Sequence, residues 1–334
     1  MPSTKLTGTH PGRALTMKKL TRRTWLRLTG TTALVASVPQ ILGGETNKLR
    51  AAAKKNIKLA VFTGVYSSLP VEQAAQRIRD DGFSGVVLEY SFADVKFDPW
   101  SPDWTVLRKI TDALANAKLA VVGLFGYYNV VDPDTKRQRR GEQRMELLID
   151  NWRQFGCRVI STETGTLNAK SEWLESPENA TEAAYLMCRE NLEKLARRAE
   201  KTGAIISIEP YWRNVIDSVS RAERLFRDVK SPALKLVMDP CNYFRKEELP
   251  RQRAMLEDMF ARLGKQIVLA HAKDVKASAD GTDLPAAGLG VLDYPLYLRL
   301  LAGLKREIYL AVEHLTLDDV ARARDYVLAQ IDSI

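Results

Sequence analysis

From residue 57 onward, short apolar runs alternate with longer amphipathic stretches eight times in succession. The runs fall at 57–63, 85–90, 119–125, 158–162, 204–209, 234–239, 266–271 and 308–313. Several, such as LAVVGLF and AIISI, carry no polar alternation, which suits a strand covered on both faces. The stretches between them, at 71–80, 105–117, 137–155, 180–202, 220–229, 251–263 and 294–304, read as helices, and a last one at 317–331 closes the chain. Strand–helix alternation of this kind builds a parallel sheet with helical crossovers. Eight units without a compositional break favour closure over an open sheet. The expectation is an α/β chain folded as a (β/α)8 TIM barrel over residues 54–334. Gly82, Gly156, Gly203 and Gly264 fall between a helix and the next strand, where glycine turns the chain most easily through the left-handed region.

The 53 residues before the barrel are of another kind. Nine of the chain's 50 Lys and Arg lie there against a single acid, Glu45, so most of the +9 net charge belongs to this segment and the body is nearly neutral. A broad phosphate-binding footprint is therefore not expected, and nucleic acid is not an expected partner. Within it, KKLTRRTWLRL precedes a weakly apolar run rich in Thr and Gly, the order of a secretory signal and too short for a membrane span. The RRTWL string with its paired Arg22–Arg23 resembles the twin-arginine signal, which implies engagement of that export machinery and a periplasmic location. Met17, just before the basic run, is an alternative start, and Ala51–Ala53 is one candidate cleavage point. Cys157, Cys188 and Cys241 are too few and too scattered for a disulfide framework or a thiolate zinc site.

The chemistry is concentrated where the strands end. Runs five to eight finish in SIEP, VMDP, LAHAKD and LAVEH, placing Glu209, Asp239, His271 and Glu313 at four consecutive C-terminal ends. In a barrel these ends face one shared mouth. Three carboxylates and an imidazole suit one divalent ion of hard to borderline character. Mn²⁺ is the first choice, with Mg²⁺, Co²⁺ or Zn²⁺ as the other occupants, although zinc more typically recruits further His or Cys. Glu89 and Glu163 end other runs and are candidates for either substrate contacts or rim ion pairs. Tyr211 and Trp212 are candidates for the floor of a sugar pocket or for packing under a loop. Lys273 is placed to reach a substrate oxygen, Asp274 to fix its loop. The Gly- and Ala-rich stretch 277–292 reads as a mobile lid, since its Gly288 and Gly290 lack the rest of a nucleotide fingerprint. His10 and His314 receive no role.

These motifs, IEP at 208–210, DPCN at 239–242, HAKD at 271–274, GLG at 288–290 followed by Asp293, and VEH at 312–314, resemble those of the xylose isomerase-like barrels, in particular the sugar-phosphate isomerase/epimerase branch. The resemblance runs from about 57 to 331. It implies that Glu209, Asp239, His271 and Glu313 bind metal, and that Glu209 and Glu313 also act as the two catalytic groups that exchange a substrate proton from opposite sides. Against the ketose epimerases, Asn242 stands where His is common, Ala277 where an Arg contacts the sugar, and Val215 in place of a further Glu. Asn242 and Lys273 remain expected substrate contacts.

The expected activity is thus a metal-dependent isomerase or epimerase working by proton transfer next to a carbonyl. Its expected substrate is a sugar, keto-sugar or cyclitol, unphosphorylated because phosphorylated sugars are mainly cytosolic. Loss of a β-hydroxyl at the same site would make the enzyme a dehydratase. A two-carboxylate glycoside hydrolase and a non-catalytic sugar-binding barrel are the alternatives from other classes. Expected partners are a small carbohydrate, the export machinery and, in a homo-oligomer, further copies of the chain.

Overall fold

A computed structural model of the chain describes residues 38–334. Helix α1 (Val38–Asn56) leads into β1 (Ile57–Phe62), and the remaining barrel strands are β2 (Gly85–Leu88), β3 (Ala120–Phe125), β4 (Val159–Glu163), β5 (Ile205–Glu209), β6 (Leu234–Met238), β7 (Ile267–Ala272) and β10 (Ile308–Val312). A separate pair, β8 (Lys276–Ser278) and β9 (Gly281–Asp283), forms a small antiparallel hairpin. The eight barrel strands are all parallel and close in the order β1-β10-β7-β6-β5-β4-β3-β2. This is the TIM barrel expected from the alternating runs.

Helices α2 (Val71–Asp80), α3 (Trp104–Asn116), α4 (Thr135–Phe155), α5 (Glu182–Thr202), α6 (Val219–Val229), α7 (Gln252–Leu263), α8 (Tyr294–Ala302) and α9 (Val320–Ser333) surround the strands. Their starts are written in the sequence: Asp103, Asp134, Thr181, Ser218 and Asp293 each accept a backbone N–H from the first turn that they cap. Their ends are less uniform. Gly82, Gly156 and Gly203 take the left-handed conformation, but so do Lys118, Lys230 and Lys305. Gly264, expected to do the same, instead continues α7 into a short 3-10 turn with φ −53°.

Two apolar layers result. The larger fills the space between strands and helices, and the smaller, built on Ala60, Val87, Val237, Leu269 and Ala311, plugs the barrel interior. Gly123 leaves room for Leu269 there, since a methyl group at 123 would sit 3.2 Å from its side chain. This plug is the floor on which the polar mouth stands.

The folded unit starts earlier than the expected boundary at 54, at Thr46. Ala53 is fully buried, the Arg50 guanidinium donates to the Ile334 carbonyl, and Lys54 pairs with Asp332, so the last turns of α1 are stitched to the chain terminus. The candidate cleavage point Ala51–Ala53 accordingly lies within a packed helix. Arg22–Arg23, Met17 and His10 lie outside the described residues. Among the described residues no helix is long and apolar enough to cross a membrane.

The stretch 277–292 is built rather than loose. Asp274 accepts the backbone N–H groups of Val275, Gly288 and Leu292, and its own N–H donates to the Pro285 carbonyl. Ala286, Ala287 and Leu292 are buried beneath it. The expected lid is thus in part a hairpin and in part a turn held by one buried carboxylate.

Candidate metal centre

Side chains alternate faces along a strand, so a residue two positions beyond an interior plug residue also points inward. Val237 leads in this way to Asp239, Leu269 to His271, and Ala311 to Glu313. On β4 and β5 the plug position is taken by Ser161 and Ser207, whose hydroxyls meet at 3.0 Å inside the barrel, and these lead to Glu163 and Glu209. The same periodicity that makes the plug therefore delivers a ring of polar groups one layer above it.

Glu209, Asp239, His271 and Glu313 converge, with one ligand-type atom from each lying within 4.8 Å of all the others. A single ion with metal–ligand bonds of about 2.0–2.6 Å spans such a group. Nδ1 of His271 lies 3.3 Å from Glu209, 3.5 Å from Glu313 and 3.8 Å from Asp239. Even so, both ring nitrogens are buried without a well-aligned hydrogen bond, while Asp239 Oδ2 and Glu313 Oε1 face only the Lys273 ammonium. Buried polar atoms are rarely left this way without a ligand. Asp239 shows the division of labour: Oδ1 accepts the Cys241 N–H at 3.0 Å and sets the carboxylate, leaving Oδ2 for the cluster.

Neighbours hold the four in place. The Tyr127 hydroxyl donates to Glu209 Oε2, and the Asn242 amide donates to Oε1 at 2.7 Å. Behind β7, the Tyr297 hydroxyl lies 2.9 Å from the His271 carbonyl and the Tyr294 hydroxyl donates to the Lys273 carbonyl at 2.8 Å. Lys273 stands within the cluster, its ammonium 2.7 Å from Asp239 and 2.8 Å from Glu313.

Charge here is in demand. Burial alone would depress the His271 imidazole, yet the Glu209 and Glu313 carboxylates hold its pKa well above the usual histidine value. Burial would raise Glu313, but Lys273 and His271 hold it well below the ordinary carboxylate range, and His271 does the same for Glu209 to a lesser degree. Asp239 stays raised, chiefly through burial, with Lys273 offsetting only part of it. Three buried carboxylates drawing protons and ammonium toward themselves are a donor set that a divalent cation fits.

The sequence profile of the xylose isomerase-like TIM barrels matches residues 75–328. The chain belongs to this family. Among curated proteins none matches the sequence, whereas many solved structures share the fold. One is a xylose isomerase-like TIM barrel protein from Mycobacterium smegmatis in complex with magnesium, at 17% identity and TM-score 0.60, covering 84% of this chain and 98% of that one. Another is a 3-keto-D-glucoside 4-epimerase from E. coli, at 16% identity and TM-score 0.60, with coverages of 84% and 99%. A probable 3-DHS dehydratase of petrobactin synthesis from Bacillus anthracis aligns at 13% identity and TM-score 0.62, with coverages of 82% and 97%. At these identities the likeness is one of fold.

In this xylose isomerase-like barrel the cluster opens into a pocket of about 450 Å³. Glu89, Glu163, Asn242 and Lys273, all expected near the substrate, line it together with Glu209 and Glu313. Glu89 is held by the Gly64 N–H at 2.7 Å, and a Cβ at 64 would push the carboxylate out of this position. Glu163 has no such partner; burial, with the Glu172 and Glu209 carboxylates adding to it, pushes its carboxyl up to about 8. Trp212 is turned away from the pocket. Its indole N–H donates to Thr282 of the hairpin at 3.2 Å, and the Arg213 and Arg245 guanidiniums stack on its ring. Tyr211 is the member of that pair that reaches the pocket. His314, given no role from sequence, also lines it, just past β10 where φ of +56° turns the chain out of the strand.

Tyr127, not singled out from the sequence, contacts Glu209 and lines the pocket. Its signal was positional: it follows the end of β3 in FGYYN, the same level of the barrel as Glu209. Arg144 also went unnoticed, and its guanidinium donates to the Tyr127 carbonyl from α4.

Proposed function

We propose that this protein is a metal-dependent isomerase or epimerase that moves a proton at a carbon next to a carbonyl of an uncharged sugar, keto-sugar or cyclitol. The observation that supports this reading is the convergence of Glu209, Asp239, His271 and Glu313 on one point, with the buried His271 ring nitrogens lacking a well-aligned hydrogen bond. When bound, a divalent cation supplies Lewis-acid stabilisation of negative charge developing beside the reacting carbon.

The chain's own groups do the rest. Glu209 and Glu313 stand on β5 and at the end of β10, on either side of the intervening strands β6 and β7. One carboxylate takes the proton and the other returns one, to the opposite face for epimerisation or to the adjacent atom for isomerisation. Tyr127 and Asn242 fix both oxygens of Glu209, so its orientation is set before substrate arrives. Lys273 places a positive charge in the pocket within reach of a substrate oxygen. Glu163, kept protonated near neutrality, can donate a hydrogen bond to a hydroxyl. Departure of that hydroxyl would give the dehydratase outcome, the runner-up reading.

The leader enters the same proposal. A twin-arginine-type signal at Arg22–Arg23 would carry the protein to the periplasm, where unphosphorylated sugars are the available substrates.

The test is metal analysis of the purified protein followed by a screen of keto-sugars and cyclitols in D₂O. Metal-dependent deuterium incorporation, abolished by chelation and restored by Mn²⁺, is the expected result. Chelator-resistant glycoside hydrolysis would replace the reading with a hydrolase. Ligand binding without deuterium exchange would replace it with a binding protein. A dehydrated, unsaturated product would assign the lyase.

A further inference from the structure

The pocket changes character along its depth. At the bottom it is polar and closed, with Glu163, Glu209, Asn242 and Lys273 each less than one-tenth exposed. Toward solvent it opens, and there Trp173, 57% exposed, lines it together with Leu315, Arg213 and His314. Trp100 is exposed as well, but Trp173 differs in lining the pocket, where its indole offers a large flat apolar surface to a ligand.

The segment that presents it is not loose. Thr166 donates to the Leu174 carbonyl at 2.9 Å and the Asn168 amide to the Glu175 carbonyl at 2.8 Å, closing the segment on both sides of Trp173. Asn179 ties the same segment to the Arg213 carbonyl at 2.8 Å, and the Ser171 hydroxyl accepts the Trp173 N–H. The backbone is therefore fixed by polar bonds that do not involve the indole. The ring is held at the mouth without being used to hold anything, and the ordering entropy of its carrier is already spent. Tyr211 and Leu284 continue the apolar surface inward from it toward the polar floor.

We infer that the substrate is a two-part molecule: a hydroxyl-rich ring seated at the metal cluster, carrying its carbonyl at a carbon other than the anomeric one, and a second, flat-faced ring, a sugar or an aryl group joined through a glycosidic bond, stacked on Trp173. A single sugar ring at the cluster leaves this rim surface uncovered, whereas a glycoside covers it. The inference rests on the proposed function for the location of the first ring, but its readout is binding and needs no turnover.

The experiment is calorimetric titration of the metal-loaded, full-length protein with glucose and with phenyl β-glucoside, for wild type, Trp173→Ala and Trp173→Phe. Wild type is expected to bind the phenyl glucoside at least tenfold more tightly than glucose, the scale of one aromatic contact with its buried area. Trp173→Ala should collapse that ratio toward one, and Trp173→Phe should keep most of it. Equal binding of the two ligands by wild type, or an unchanged ratio in Trp173→Ala, would overturn the inference. A preserved ratio in a protein that shows no deuterium exchange would sink the proposed chemistry and leave the outer subsite standing.

Discussion

Replacing Asp239 by Asn tests whether the four side chains share one ion. The substitution keeps shape and retains an oxygen for the Cys241 N–H, but it removes the charge from the buried oxygen that faces the cluster and Lys273. For wild type at a metal concentration one hundred times its dissociation constant, binding to the folded state alone adds about 2.7 kcal/mol. For a domain of this size that corresponds to a rise in Tm of roughly 4–5 °C. Loss of one charged ligand should weaken binding by about a hundredfold or more, since even an outer partner is worth 10–100-fold. At the same metal concentration the variant then sits near or below half-saturation, and the stabilisation falls to about 0.4 kcal/mol, or roughly 1 °C. The assay is thermal unfolding of chelator-treated protein with and without added Mn²⁺. Equal metal-induced shifts in wild type and Asp239→Asn would refute the reasoning, because an ion bound elsewhere would not register the change.

Glu163→Gln should become more stable relative to wild type as pH rises. The folded-state carboxyl is raised to about 8 by burial, so wild type loses stability between the ordinary carboxylate range and about 8, and the amide does not; urea unfolding across that range reads the slope. Tyr127→Phe removes a donor to the Glu209 carboxylate and should lower turnover by roughly ten- to a hundredfold, from the 1.5–3 kcal/mol of a charged hydrogen bond, with the fold unchanged by circular dichroism. Asp274→Ala leaves three backbone donors without their acceptor and should destabilise the protein by about 3 kcal/mol in urea, with new proteolytic sensitivity within 277–292. A loss below about 1 kcal/mol would show that water replaces the carboxylate.

The barrel was readable because its strands are apolar on both faces and its helices begin at side chains that cap them. The inward ring was readable for a related reason: strand alternation is strict, so the residues ending runs five to eight had to share a face. Alternation stops being a guide where strands stop. Trp212 and Tyr211 are neighbours past the end of β5, and which one turns to the pocket is decided by Thr282 on the hairpin, far away in the chain. The hairpin itself has no apolar periodicity, and the turn that follows it is gathered by Asp274, which accepts N–H groups from Gly288 and Leu292. Lys118, Lys230 and Lys305 end helices in a conformation that composition assigns to glycine, while Gly264 declines it. Trp173 sits in an irregular segment whose shape is set by side-chain amides rather than by pattern.

The ligand set draws on four strands that are neighbours around the wall, yet the last of them, β10, also borders β1, where the first strand of the barrel meets the last. An intermediate lacking its final strand would present only three of the four donors, and those on an incomplete cylinder. Ion capture would then be a late event in folding, and metal uptake during refolding would time the closing of the ring rather than the formation of its individual staves.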